Sequence, residues 1–161
     1  MRIRRFLLVL AFVLAALVPN LAAGDESCPV TTPPNPPFVP PAPYWLNAPE
    51  KHFWYGTNAL WTSLPVEGVW HLLRRDNGGY VNKLFLWQQG YDWREEPHPD
   101  IIVTLRRLDS NMPPITSRGG TNAFVDLPAM LAGVLFPTEG CWEITSSHDG
   151  HKLTFVLSIK P

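Results

Sequence analysis

The best small constellation of metal-type ligands in the chain is His148 with His151, bracketing an Asp149-Gly150 pair. Asp-Gly is a two-residue turn signal that needs positive φ at both central positions. The two imidazoles therefore stand directly across a hairpin, close enough to share a divalent ion with Asp149 beside them. Two ligands on an exposed turn fall short of the four that a structural site uses, so a pair of solvated turn histidines is the plainer reading. The second constellation is Trp87, Tyr91, Trp93, Arg94, Glu95, Glu96 and His98. Rings beside carboxylates and a guanidinium suit a sugar, since rings stack on its apolar face while polar groups bond its hydroxyls. A glycan hydrolase would use two acids across one bond. Adjacent Glu95 and Glu96 point to opposite sides of an extended chain, which weighs against that pair. Core and rim packing is the competing explanation, because seven tryptophans must be housed in a small domain.

The sequence has no Gly-x-Ser-x-Gly elbow, no His-Glu-x-x-His, no Cys-x-x-Cys and no phosphate-cradling glycine loop. The expectation is a non-catalytic binding or interaction module with no cofactor, its partner an unknown protein or glycan. A small extracytoplasmic glycan-binding protein or glycan hydrolase using the Trp87 to His98 region is the alternative. The two cysteines, Cys28 and Cys141, admit one intramolecular pairing in an oxidising compartment, with two unpaired thiols as the other possibility. Closing a loop of that length stabilises by about 4 to 5 kcal/mol at most on the chain-entropy argument.

Counting outward from Asp149-Gly150 places Trp142, Ile144 and Ser146 opposite Leu157, Phe155 and Leu153 on an apolar face. Glu143, Thr145 and Ser147 share the other face with Val156, Thr154 and Lys152. Cys141 has the parity of that second face, so its bond is expected to staple the preceding chain onto the outside of a sheet. Upstream, His52-Phe53-Trp54-Tyr55, Ala59 to Leu64, Val69 to Leu73, Tyr80 to Gln88, Ile101 to Leu108 and Ala129 to Phe136 read as short strands. In the fourth, Leu84 and Leu86 share one face, and Phe85 and Trp87 the other, so it is buried on both sides. Residues 109–122 read as a loop, from Pro113-Pro114 and Gly119-Gly120. No segment keeps a 3.6-residue apolar period, and about seven or eight short strands between turn signals predict an all-β sandwich.

The chain of 161 residues is the right size for one domain. Arg2, Arg4 and Arg5, an apolar run from Phe6 to Leu17, and Ala22-Ala23-Gly24 have the layout of a cleaved signal peptide over residues 1–24. An uncleaved anchor is the alternative, and acidic, polar Asp25-Glu26-Ser27 argues against lipidation of Cys28. Removal of the leader leaves 10 basic against 14 acidic side chains, a poor balance for binding nucleic acid. The expected location is secreted or periplasmic, with no stable membrane span after cleavage. Residues 25–50 hold nine of the 18 prolines together with Phe38, Val39, Tyr44 and Trp45. They read as a proline-rich arm, ordered by those apolar anchors, ahead of a sandwich domain at 51–161.

Gly140-Cys141-Trp142-Glu143-Ile144-Thr145 followed by Leu153-Thr154-Phe155-Val156 resembles the terminal strand pair of immunoglobulin-like sandwiches. More narrowly, it resembles the C-terminal signature of a group of uncharacterised bacterial exported proteins. The same group is echoed in Cys28-Pro29-Val30-Thr31, Pro37 to Pro41, Phe53 to Thr57 and Lys83-Leu84-Phe85. The resemblance implies an immunoglobulin-like antiparallel fold and export, and no activity.

Overall fold

The computed structural model describes residues 27–45, 47–76, 78–125 and 127–161. The leader expected at 1–24 lies outside the described residues. Among them the chain forms ten strands and no helix. The hairpin at the end is the organising element. Asp149 and Gly150 adopt φ of 47° and 76°, the left-handed values that a tight hairpin turn requires. The flanking strands, β9 (Gly140–His148) and β10 (His151–Lys160), pair from His148↔His151 to Gly140↔Ile159 in the register that the alternation dictates. Trp142, Ile144, Phe155 and Leu157 are fully enclosed.

Before this hairpin come β1 (His52–Thr57), β2 (Leu60–Pro65), β3 (Val69–His71), β4 (Tyr80–Leu86), β5 (Ile102–Arg107), β6 (Ile115–Arg118), β7 (Thr121–Val125) and β8 (Leu127–Phe136). One sheet has the order β3-β10-β9-β5-β6, and a second runs β4-β8-β7. All ladders are antiparallel except β3 with β10. The order β10-β9-β5 in one layer and β4-β8-β7 in the other is the pairing of an immunoglobulin-like sandwich. The strand count exceeds the seven or eight expected. The expected loop at 109–122 contains β6 and the start of β7, and β1-β2 is a separate hairpin. β6 escapes a hydrophobic reading because Ile115-Thr116-Ser117-Arg118 is a short edge strand with three exposed residues.

The hairpin of β1 and β2 joins the second layer beside β4, where Trp61 and Trp87 exchange backbone hydrogen bonds of 3.0 and 2.9 Å and the Thr62 hydroxyl donates to the Phe85 carbonyl at 2.8 Å. Gly56 allows the close return of this hairpin. It lies opposite Trp61 with φ of 142°, and a Cβ there would collide with the Leu60 carbonyl oxygen and sit 2.6 Å from the Trp61 Cα.

The inter-sheet core runs through Leu64, Leu84, Leu86, Val103, Met130, Phe136 and the inward residues of β9 and β10. Trp142 closes its end: the ring packs edge-on to Phe136, 5.6 Å between centroids, and its indole N–H donates to the Thr138 carbonyl at 3.2 Å. That bond reaches back across the turn entering β9, where antibody domains use a tyrosine hydroxyl for the same purpose.

Cys28 and Cys141 are bonded, with Cα atoms 5.4 Å apart. Cys141 stands apart from the inter-sheet core, in agreement with its parity, and is itself buried at 6% exposure. The chain leaving Cys28 then runs along the edge of β10. Thr31 donates its N–H to the Val156 carbonyl at 2.9 Å, and its hydroxyl accepts from the Val156 N–H at 2.8 Å. Further along that edge, Ser158 donates to Gly68 and β3 takes over the pairing. The disulfide thus holds a segment that completes a sheet edge as well as covering an outer surface.

Candidate functional site

The outward side chains of β1, β2 and β4 build a second aromatic cluster, separate from the core. Trp54, Trp61, Trp87 and Ala129 are its buried members, with Phe38, Tyr44, Trp45, Ala48, Phe85 and Ala123 packed around them. Alternation explains the split: Phe53 and Tyr55 of β1 contact the inter-sheet core while Trp54 points away, and Leu84 and Leu86 of β4 do the same relative to Phe85 and Trp87. Ring geometry is mostly edge-to-face, at 5.2 Å for Trp54 with Trp87 and 4.9 Å for Tyr44 with Trp61. The Tyr44 hydroxyl donates to the Gln88 carbonyl at 3.2 Å, and burial raises its pKa. The indole nitrogens of Trp54, Trp61 and Trp87 are all buried without a hydrogen-bond partner among the described residues.

This face is covered at one end and open at the other. A cleft of about 500 Å³ lies beside the cluster, walled by Trp45 and Pro49 on one side and by Trp54, Phe85 and Trp87 on the other. Its polar groups are Asn47, His52 and Ser63, which are uncharged apart from the titratable imidazole. A neighbouring cleft of about 300 Å³ shares His52, Ser63 and Phe85 with it. Residues of β2, β3 and β4 line this second cleft, which adds Asn82, Lys83 and His71. A mainly apolar cleft of this size with a few placed polar groups is the usual composition of a small-molecule site.

The Trp87 to His98 residues do not form one surface. Trp87 belongs to the outer cluster at 4% exposure, and Tyr91 to the inter-sheet core at 9%. Trp93 is half-buried against the core, with the Arg94 guanidinium 4.7 Å over its ring. Arg94 also donates its backbone N–H to Asp92, which fixes the turn. Glu95 and His98 are exposed, whereas Glu96 turns inward, so the two adjacent carboxylates diverge. Trp93 and Arg94 line a third cleft of about 460 Å³ with Tyr44 and Tyr91.

His148 is the residue whose role the sequence obscures. It is buried at 5% exposure, its Nδ1 lies 2.9 Å from Gln88 Oε1, and its Nε2 lies 3.1 Å from Glu96 Oε1. Both ring nitrogens are thus engaged by side chains from another part of the chain, which leaves neither turned to an ion shared with His151. His151 remains exposed across the turn. Among the described residues no three His, Cys, Asp or Glu side chains are grouped to hold a metal ion. The Tyr91 hydroxyl donates to the Glu96 carbonyl at 2.9 Å, and its pKa is raised by burial first and then by the Glu96 and Asp92 carboxylates. His148, Gln88, Tyr91 and Glu96 thus tie the turn after β4 to the tip of β9.

No family model, no curated protein and no solved structure matches this chain. Among the described residues no helix is long and apolar enough to cross a membrane. The disulfide is compatible with an extracytoplasmic location.

Proposed function

We propose that this protein is an exported, non-catalytic binding module related to the bacterial exported proteins that its C-terminal signature resembles, and that its ligand sits in the aromatic cleft outside the sandwich. The observation that carries this reading is the cleft of about 500 Å³ that opens beside the enclosed tryptophan cluster on the outer face, lined by Trp45, Pro49 and Phe85 as well as by the edges of Trp54 and Trp87. A sandwich needs no such cluster for its own core, and an open aromatic cleft with convergent Asn47, His52 and Ser63 is suited to recognition. The test is a thermal-shift and calorimetric screen of uncharged and charged ring compounds against the full disulfide-bonded chain. Compounds that bind the wild type should lose at least tenfold in affinity to Ser63→Phe, which plugs the cleft. A screen without binders, or binders indifferent to the plug, would overturn the reading.

A glycan site is the second reading, supported by the cleft at Trp93 and Arg94, where a half-buried ring adjoins polar groups. It rests on Trp93 alone for stacking, because Trp87 and Tyr91 are enclosed. Oligosaccharides that perturb tryptophan emission in the wild type and not in Trp93→Ala would favour it.

A further inference from the structure

The two adjoining clefts differ in character, and the difference identifies the chemistry of a ligand that spans them. The larger is built from the rings of Trp45, Trp54, Phe85 and Trp87, with neutral amide and hydroxyl groups. The smaller holds Lys83, the one fixed charge lining either cleft among the described residues. No carboxylate side chain lines the two, and Lys83 forms no ion pair among the described residues. An ammonium without an ion-pair partner among the described residues, in the cleft that adjoins the aromatic one, is a local departure in a chain with more acidic than basic groups and favours an anionic partner.

Register sets the spacing. Lys83 and Phe85 lie on the outward face of β4 and Trp87 continues the alternation just past its end, so consecutive members are separated by about 7 Å. Ser63 of β2 stands opposite Trp54 of β1, which places a hydroxyl beside the ring wall. The two histidines lining the smaller cleft use one nitrogen each on backbone oxygens, His52 Nδ1 on Glu50 at 2.8 Å and His71 Nδ1 on Pro161 at 3.1 Å.

We infer that the joined clefts bind a small aromatic carboxylate, its ring seated between Trp45, Trp54 and Phe85 and its carboxylate on Lys83. The inference rests on the cleft reading above and adds the class of ligand. The ring is desolvated against aromatic faces and edges. The carboxylate takes a charge-assisted hydrogen bond from an ammonium on an exposed strand position, so affinity falls with rising salt. A neutral isostere keeps the ring contacts and loses the ion pair.

The experiment is isothermal titration of the full disulfide-bonded chain with 2-naphthoate and with its neutral counterpart 2-naphthamide, using wild type, Lys83→Met and Ser63→Phe. Lys83 is exposed, so its replacement leaves the fold intact. The expected result is a preference of about tenfold or more for the carboxylate in wild type, about 1.4 kcal/mol. In Lys83→Met that preference should shrink below about threefold while naphthamide affinity is unchanged, and Ser63→Phe should remove both. Equal binding of the two compounds to wild type, with both lost in Ser63→Phe, would overturn the carboxylate assignment and leave the cleft standing. Binding of neither compound, or of both with no response to Ser63→Phe, would remove the cleft as well.

Discussion

The protein houses its tryptophans in two ways. Trp142, at the end of the inter-sheet core, is fully enclosed and gives its indole N–H to Thr138. Trp54, Trp61 and Trp87, outside the sandwich, are equally enclosed, yet their three N–H groups have no hydrogen-bond partner among the described residues. A buried donor without a partner costs about 1–3 kcal/mol, so the two regions bury similar rings at different expense. The core is a sealed product of two facing sheets. The outer cluster depends for its cover on the segment before β1 and is flanked by a cleft lined by Trp45, Trp54, Phe85 and Trp87.

Experiments that separate the regions follow in order of size. Removing the Cys28–Cys141 bond by double Ser substitution should cost up to about 4–5 kcal/mol by denaturant unfolding. In the folded remainder, tryptophan emission should shift to the red as the outer cluster opens, whereas a shift confined to global unfolding would contradict the dependence on the leading segment. Trp142→Ala should cost about 3–5 kcal/mol, through lost packing and lost closure of the turn into β9. Gly56→Ala, with its Cβ driven into the Leu60 carbonyl, should cost about 2 kcal/mol or more and perturb the outer cluster before the core. Hydrogen exchange at β1 and β2 against β9 checks that order.

The comparison sharpens with smaller changes. Trp142→Phe loses a hydrogen bond that Trp87→Phe does not have, so the former should be more costly by about 1 kcal/mol. Ser146 on β9 is a core counterpart of the unpaired indoles, fully enclosed with no partner for its hydroxyl. Ser146→Ala should raise stability by about 1 kcal/mol, and a loss would show that the hydroxyl is satisfied in solution. Acid provides the mildest probe. Arg107 bonds Asp109 and holds its carboxyl below the ordinary carboxylate range, and Asp109 also accepts from the Cys141 N–H at 3.2 Å. A depressed folded pKa contributes stability that is full above the unfolded value of about 4 and lost as pH falls through the folded one. Asp109→Asn should therefore flatten the stability profile below about pH 4, with little effect on the outer cluster.

Local rules carried the last hairpin completely, because turn chemistry and alternation demanded the same register from Trp142↔Leu157 to His148↔His151. The two-sided burial of β4 was equally readable from Leu84 and Leu86 against Phe85 and Trp87. Sequence could not show that Trp54 and Trp61 join Trp87 on one outer face, because that requires β2 to dock beside β4 through a single backbone bridge and the Thr62 hydroxyl. His148 looked like a solvated turn residue for a related reason. Its partners, Gln88 and Glu96, arrive from a distant turn that only the tertiary fold brings to the hairpin tip. β6 was invisible because an edge strand of mixed polarity carries no periodic signal.

The sulfur bridge joins a residue ahead of all ten strands to one at the start of the ninth. Every connection from β1 to β9 therefore lies inside one covalent ring. A protease that cuts any of these loops once yields two pieces still linked through Cys28 and Cys141, and the damage becomes visible by mass or mobility only after a reductant is added.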